Sequence, residues 1–265
     1  MNNIFNLQRF GLLFKKTLLE RPIQMFGFTG LILTLILILY AITKTLSGFT
    51  MAQNLTFLWG LIGGSYFIAS FVFSHFSSNA IGSSYLTLPA SHFEKWLCGF
   101  LVAAILYPLI FMLFFRLMDA SFVSLYHSGL DPAAPFYKER YESVNIFSFD
   151  GIFAWKIYPL FPFAVSAMLI GSLYFEKAVL IKVSLVICSL VIGVFLLNHL
   201  FAKIVLGAAV QNTWPFHWVD MQVGKTGGNI ELPERAADIA YYLLSYIFPA
   251  VLFVTSFIRL REKEF

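Results

Sequence analysis

Charge is what this chain has least of. Only 12% of its 265 residues are Asp, Glu, Lys or Arg, about half the roughly 25% of an ordinary globular domain. No polar block is long enough to hold a separate soluble domain. Cysteine is scarce as well. Cys98 and Cys188 both lie inside apolar runs, so they read as small buried hydrophobes and not as a disulfide. The histidines (His75, His92, His127, His199, His217) show neither H-x-x-x-H nor H-E-x-x-H spacing, which argues against a zinc site. No G-x-S-x-G nucleophile elbow occurs. Gly224-Lys225-Thr226 resembles the tail of a phosphate-binding loop, but Val219 stands where that pattern needs glycine. The chain therefore has no evident ATP site of its own and does not read as an enzyme. Ionisable groups are missing from mid-membrane positions too. Lys44, Arg116, Lys156, Lys182 and Lys203 all fall near the ends of apolar runs, where long side chains snorkel to the interface. An ion-coupled carrier usually places such groups near the midplane, so that class is disfavoured.

What the chain has is apolar length. It is 59% hydrophobic with a mean hydropathy of +0.78. Several runs exceed the roughly 18 to 20 residues that cross a bilayer. Six spans are expected, at about Met25 to Leu46, Leu55 to Phe76, Lys95 to Met118, Phe153 to Phe175, Val179 to Phe201 and Ile239 to Ile258. They must be helical, because each backbone polar group has to be satisfied within its own segment. The fold class is an all-α polytopic membrane protein, with residues 1–265 forming a single transmembrane domain. The first run lacks a small-residue cleavage site and is expected to stay in the membrane.

Orientation follows from Lys and Arg. With both termini inside, the cytoplasmic flanks hold ten basic and five acidic residues, and the other side eight basic and nine acidic. That bias favours cytoplasmic N- and C-termini. The modest net charge of +4 reads as topology signalling and not as nucleic-acid binding. Residues 6–22 place Leu7, Phe10, Leu13, Phe14 and Leu18 on one helical face, with Arg9, Lys15, Lys16 and Arg21 around the rest. This is a basic amphipathic helix expected to lie on the lipid surface and to end at Pro22. On the outer side, the second loop is expected from Asp119 to Ile152. The third begins with Ile204 to Val210, too short to span and read as a re-entrant or interfacial helix before the aromatic run Trp214 to Trp218. Pro108, Pro159, Pro162 and Pro249 fall within spans, where each frees a backbone carbonyl.

The inner loop between spans two and three carries the most specific pattern. Small polar residues run from Ser77 to Ser84, followed by Leu86, Leu88 and Pro89. Ser91 with Glu94 three residues later has capping-box spacing, so a helix is expected to start at His92. A short helix around Asn79 to Leu86 would precede it, parallel to the membrane.

Tyr85-Leu86-Thr87-Leu88-Pro89-Ala90-Ser91-His92-Phe93-Glu94-Lys95-Trp96 resembles the LPAS-x-x-EK loop of ABC-2-type permease subunits, especially those of Bacteroidetes. Gly171 to Lys177 with Lys182, and Arg259-Leu260-Arg261-Glu262-Lys263-Glu264, resemble that family's fourth-span exit and C-terminal end. The amphipathic helix, six spans and the re-entrant stretch expected before span six match a type V exporter architecture. The resemblance implies a non-catalytic transmembrane subunit in a bacterial inner membrane. Its partners would be a separate ABC ATPase, which would hold ATP and Mg, and a second permease subunit, either the same chain or a related one. The chain itself would bind no cofactor and no metal. By the same resemblance, Ser78 to Ser91 would be a coupling helix, and Ser84, Leu86, Leu88, Pro89, Ser91, Glu94 and Lys95 the coupling loop. The alternative is a structural or regulatory membrane subunit of a larger envelope complex, with the outer loops as partner surfaces.

Overall fold

A computed structural model describes residues 5–20, 22–73, 85, 87–207, 210–223, 226–231 and 233–262. Among the described residues, six helices are long and apolar enough to cross a membrane: Met25–Ser47, Phe49–Val72, His92–Ser128, Ile152–Tyr174, Val179–Leu206 and Arg235–Arg261. They are spans one to six. The even number returns the chain to the face it started from. That face is called the terminal face, and the opposite one the far face. A helix at Leu7–Glu20 precedes span one and packs on the terminal-face end of span three.

Spans two and four form the centre. In their most apolar stretches 56% and 50% of the residues are buried, against 6% in span five. Close approach around span two depends on glycine. A Cβ on Gly60 would meet the Phe111 ring at 2.0 Å, and one on Gly64 would meet the Tyr107 hydroxyl at 1.7 Å. Towards the far face, Phe57 is fully buried among rings, with Phe147 at 4.7 Å and Phe115 at 5.5 Å. The abundance of Phe is thus spent partly on helix packing, where ring pairs add to simple burial.

Among the described residues, four wide π turns interrupt the helices, at Ile23–Gly27, Trp59–Gly63, Val102–Leu106 and Leu243–Ile247. Two of them have a direct cause. A proline ring collides with the carbonyl four residues earlier. For Pro108 that residue is Ala104, and for Pro249 it is Ser245, and both lie in the π turns. The helix widens where the ring needs room and then resumes. In span two the widened turn leaves the Gly60 carbonyl to accept from the Tyr107 hydroxyl at 2.9 Å, a side chain filling a backbone vacancy as membrane interiors require.

Two expectations are corrected on the far face. Span three does not end near Met118. Its helix continues to Ser128, 37 residues in all. At 1.5 Å per residue it is about 55 Å long, against a hydrocarbon layer of about 30 Å, so it stands well clear of the membrane. Asp119 is therefore not a loop residue but a fully buried helical one. The third loop holds no re-entrant helix among its described residues. Ile204 to Leu206 finish span five, Gly207 closes it with φ +82, and Val210 opens a three-stranded antiparallel sheet. Its strands are β1 (Val210–Trp214), β2 (Trp218–Val223) and β3 (Thr226–Glu231). The helix ends because a residue in the left-handed region cannot continue it. Thr226 pairs with Val223 in this hairpin, a setting that has no phosphate-loop helix.

Candidate functional site

The terminal-face end of span three is a junction of four elements. Ser91 caps the span. Its hydroxyl accepts from the Glu94 backbone N–H at 3.1 Å, and the Ser91 N–H donates to Glu94 Oε2 at 2.8 Å. This is the capping box expected from the spacing, with both halves made. Two orphan donors at a helix start are satisfied at once.

Glu94 does more than cap. Its side chain is fully buried, and its remaining acceptor capacity faces the N-terminal helix. Arg9 donates Nε to Oε2 at 2.9 Å and Nη2 to Oε1 at 2.8 Å, a two-pronged fork. The Asn6 N–H adds a bond to Oε1 at 2.7 Å, while the Asn6 side chain accepts from the Gln8 N–H at 3.0 Å and caps the helix that follows. One carboxylate therefore joins the starts of two helices. Planar fork-on-carboxylate pairing fixes angle as well as distance, unlike a lysine contact. The bonds to Glu94 push the Arg9 guanidinium further above its ordinary value, so the cation is permanent.

Lys95 is buried as well, with 1% of its surface exposed. It donates Nζ to the Leu88 carbonyl at 3.2 Å, with the Tyr85 ring 5.9 Å from the ammonium. Burial pushes the Tyr85 phenol upwards from its ordinary value, so Tyr85 stays neutral beside that cation. The linker between these points is a tight bend, in which the Ala90 N–H donates to the Leu88 carbonyl at 2.7 Å. Trp96 completes the junction. Its indole N–H donates to Ser256 Oγ of span six at 2.8 Å, and its ring stacks on Phe100 at 5.5 Å.

The expected loop residues thus separate into groups. Ser91, Glu94 and Lys95 come together with internal partners. Leu88 is half-buried and Pro89 is exposed, as is Thr87 beside it. Ser84 and Leu86 lie outside the described residues, as does all of the short helix expected at Asn79 to Leu86 except Tyr85. The surface on offer at the loop is Thr87 to Ala90, and the polar residues behind it hold it in place. The capping half of this site was readable from spacing. The roles of Asn6, Arg9 and Ser256 were not, because they come from positions far away in the chain.

A second polar cluster, missed in the sequence, sits at the far face. Asp119 Oδ1 accepts from the Tyr40 hydroxyl at 2.7 Å and from Gln53 Nε2 at 2.9 Å, and Oδ2 accepts from the Phe147 N–H at 2.7 Å. Arg116 donates to the Phe147 carbonyl at 2.8 Å. These bonds tie spans one, two and three to the loop before span four. Counting Asp119 as a loop charge hid them.

Comparison with family models, with curated proteins and with solved structures finds no match to this chain.

Proposed function

We propose that this chain is the transmembrane subunit of an ATP-driven ABC-2-type transporter, paired with a second such subunit. A separate ATPase docks on the cytoplasmic face and supplies the energy. The reading rests on the resemblance of the loop, the fourth-span exit and the C-terminal end. The observation that carries it further is the Arg9–Glu94–Ser91 junction. A push on a loop moves a span only if the loop cannot yield by itself. Here the exposed bend Thr87 to Ala90 is pinned by Lys95 behind it, and span three is locked to the N-terminal helix through Glu94 and to span six through Trp96. Force on the bend passes to several helices together. Export is the direction proposed, and the bacterial inner membrane with cytoplasmic termini is the location.

The test is a photo-crosslinking residue at Thr87 or Pro89 in cells that also express the candidate ATPase. The expected result is a covalent adduct with that ATPase, and an ATP-dependent phenotype that Glu94→Ala with Lys95→Ala abolishes. Adducts only with a non-ATPase protein, with no ATP dependence of any phenotype, overturn it. That second outcome would favour a structural or regulatory subunit. The observation that speaks for this rival is the far-face sheet, which exposes Trp214, Phe216 and Ile230.

A further inference from the structure

A groove of about 360 Å³ runs between spans four, five and six. Span four forms its floor from Phe163 to Tyr174, a rise of about 16 Å at 1.5 Å per residue. Val186 and Leu190 of span five form one wall, and Phe248 and Leu252 of span six the other. The wall residues are open to their surroundings, with Val186 45%, Leu190 63% and Phe248 42% exposed. In an apolar helix bundle of membrane-crossing length, those surroundings are acyl chains.

The terminal-face mouth of the groove is different in character. Lys182 lies one turn before Val186 on the same face of span five. Arg259 lies two turns beyond Leu252 on the same face of span six. The stripes that build the two walls therefore each end in a cation. Lys182 Nζ stands 5.6 Å from the centre of the Phe175 ring, and the Arg259 guanidinium 4.6 Å from the centre of the Tyr174 ring. Both rings line the groove. Arg259 is incompletely paired. Its Nε has no hydrogen-bond partner, and its Nη1 stands 3.8 Å from a Glu262 oxygen, beyond a good hydrogen bond.

We infer that this groove is a binding site for an anionic phospholipid of the terminal-face leaflet. An acyl chain lies along Phe163 to Tyr174, and the phosphate meets Arg259 and Lys182 at the mouth. Arg donates to phosphate oxygens as a fork, and Lys adds a point charge. The site is independent of any ATPase, so its failure and that of the transport reading are separable.

Native mass spectrometry of the full chain in neutral detergent, with phosphatidylglycerol or phosphatidylcholine added, tests this. Each surface cation is worth about fivefold in affinity for anionic lipid. Wild type should retain phosphatidylglycerol roughly tenfold better than phosphatidylcholine, given partial screening. Lys182→Gln with Arg259→Gln should remove that preference, and Leu190→Trp, which fills the groove, should reduce retention of both lipids. Lys182 is exposed, so Lys182→Gln alone folds in any case and should remove a severalfold part of the preference. Equal retention of the two lipids by wild type, or a preference unchanged in Lys182→Gln, overturns the inference.

Discussion

Ser91, Glu94 and Arg9 show how unequal neighbouring polar contacts are. Ser91→Ala removes one capping bond and should cost about 1 kcal/mol. Glu94→Ala removes the side-chain half of the box, the Arg9 fork and the bond from Asn6. It should therefore lower the melting temperature in detergent more than Ser91→Ala does. It should also free the N-terminal helix, so that limited proteolysis cuts between Asn6 and Glu20 first. Equal melting temperatures for the two variants would show that the fork carries no stability. Asp119 is the far-face counterpart. Asp119→Ala orphans the donors of Tyr40 and Phe147 and half the bonding of Gln53. The expected loss is about 3 kcal/mol, since each orphaned buried donor costs roughly 1–3 kcal/mol. Thermal unfolding followed by tryptophan fluorescence measures it. At this scale the sequence was legible where partners are close in the chain. The Ser91 to Glu94 spacing announces a cap. Nothing in the neighbourhood of Arg9 announces a partner at Glu94, because that pairing exists only after two helices have docked.

Helices were the most readable elements. Backbone polar groups in an apolar layer leave no alternative, so apolar length alone sets their number. Their ends were less readable. Span three passes Asp119 because that carboxylate finds donors on spans one and two and on the loop, so its charge does not force the helix to stop. The sheet was missed for a different reason. Its strands are short, β3 contains two glycines, and aromatic residues at Trp214 to Trp218 also suit a membrane interface. The Gly-Lys pair between Val223 and Thr226 was the available hairpin signal. Packing between elements is tested at Gly64. Gly64→Val places atoms where the Tyr107 hydroxyl sits and breaks its bond to the Gly60 carbonyl. Overpacking of this kind costs about 1–3 kcal/mol. The variant should melt earlier, and Tyr107→Phe in the same chain should recover part of the loss by removing the hydroxyl in conflict.

The molecule as a whole has a buried core and an exposed flank. Spans two and four are half buried, span five is nearly all exposed, and span five carries the sheet through β1. Orientation belongs to this scale. Thr87→Cys and Gln211→Cys, each in a Cys188→Ala background, place exposed thiols on the terminal and far faces. With the termini cytoplasmic, a membrane-impermeant maleimide should label Gln211→Cys in intact cells and Thr87→Cys only after permeabilisation. The reverse pattern would invert the topology and remove the docking proposal with it. By itself the sequence determined that this is a six-span helical membrane protein with a capped start to its third span. Those features depend on local composition and on spacings within one turn of helix. Only the tertiary structure decided that Glu94 binds Arg9, that Asp119 is a buried tie, and that the Phe175 and Tyr174 rings beside Lys182 and Arg259 line one groove. Each of those needs side chains from different spans to meet, and packing alone sets which spans lie side by side.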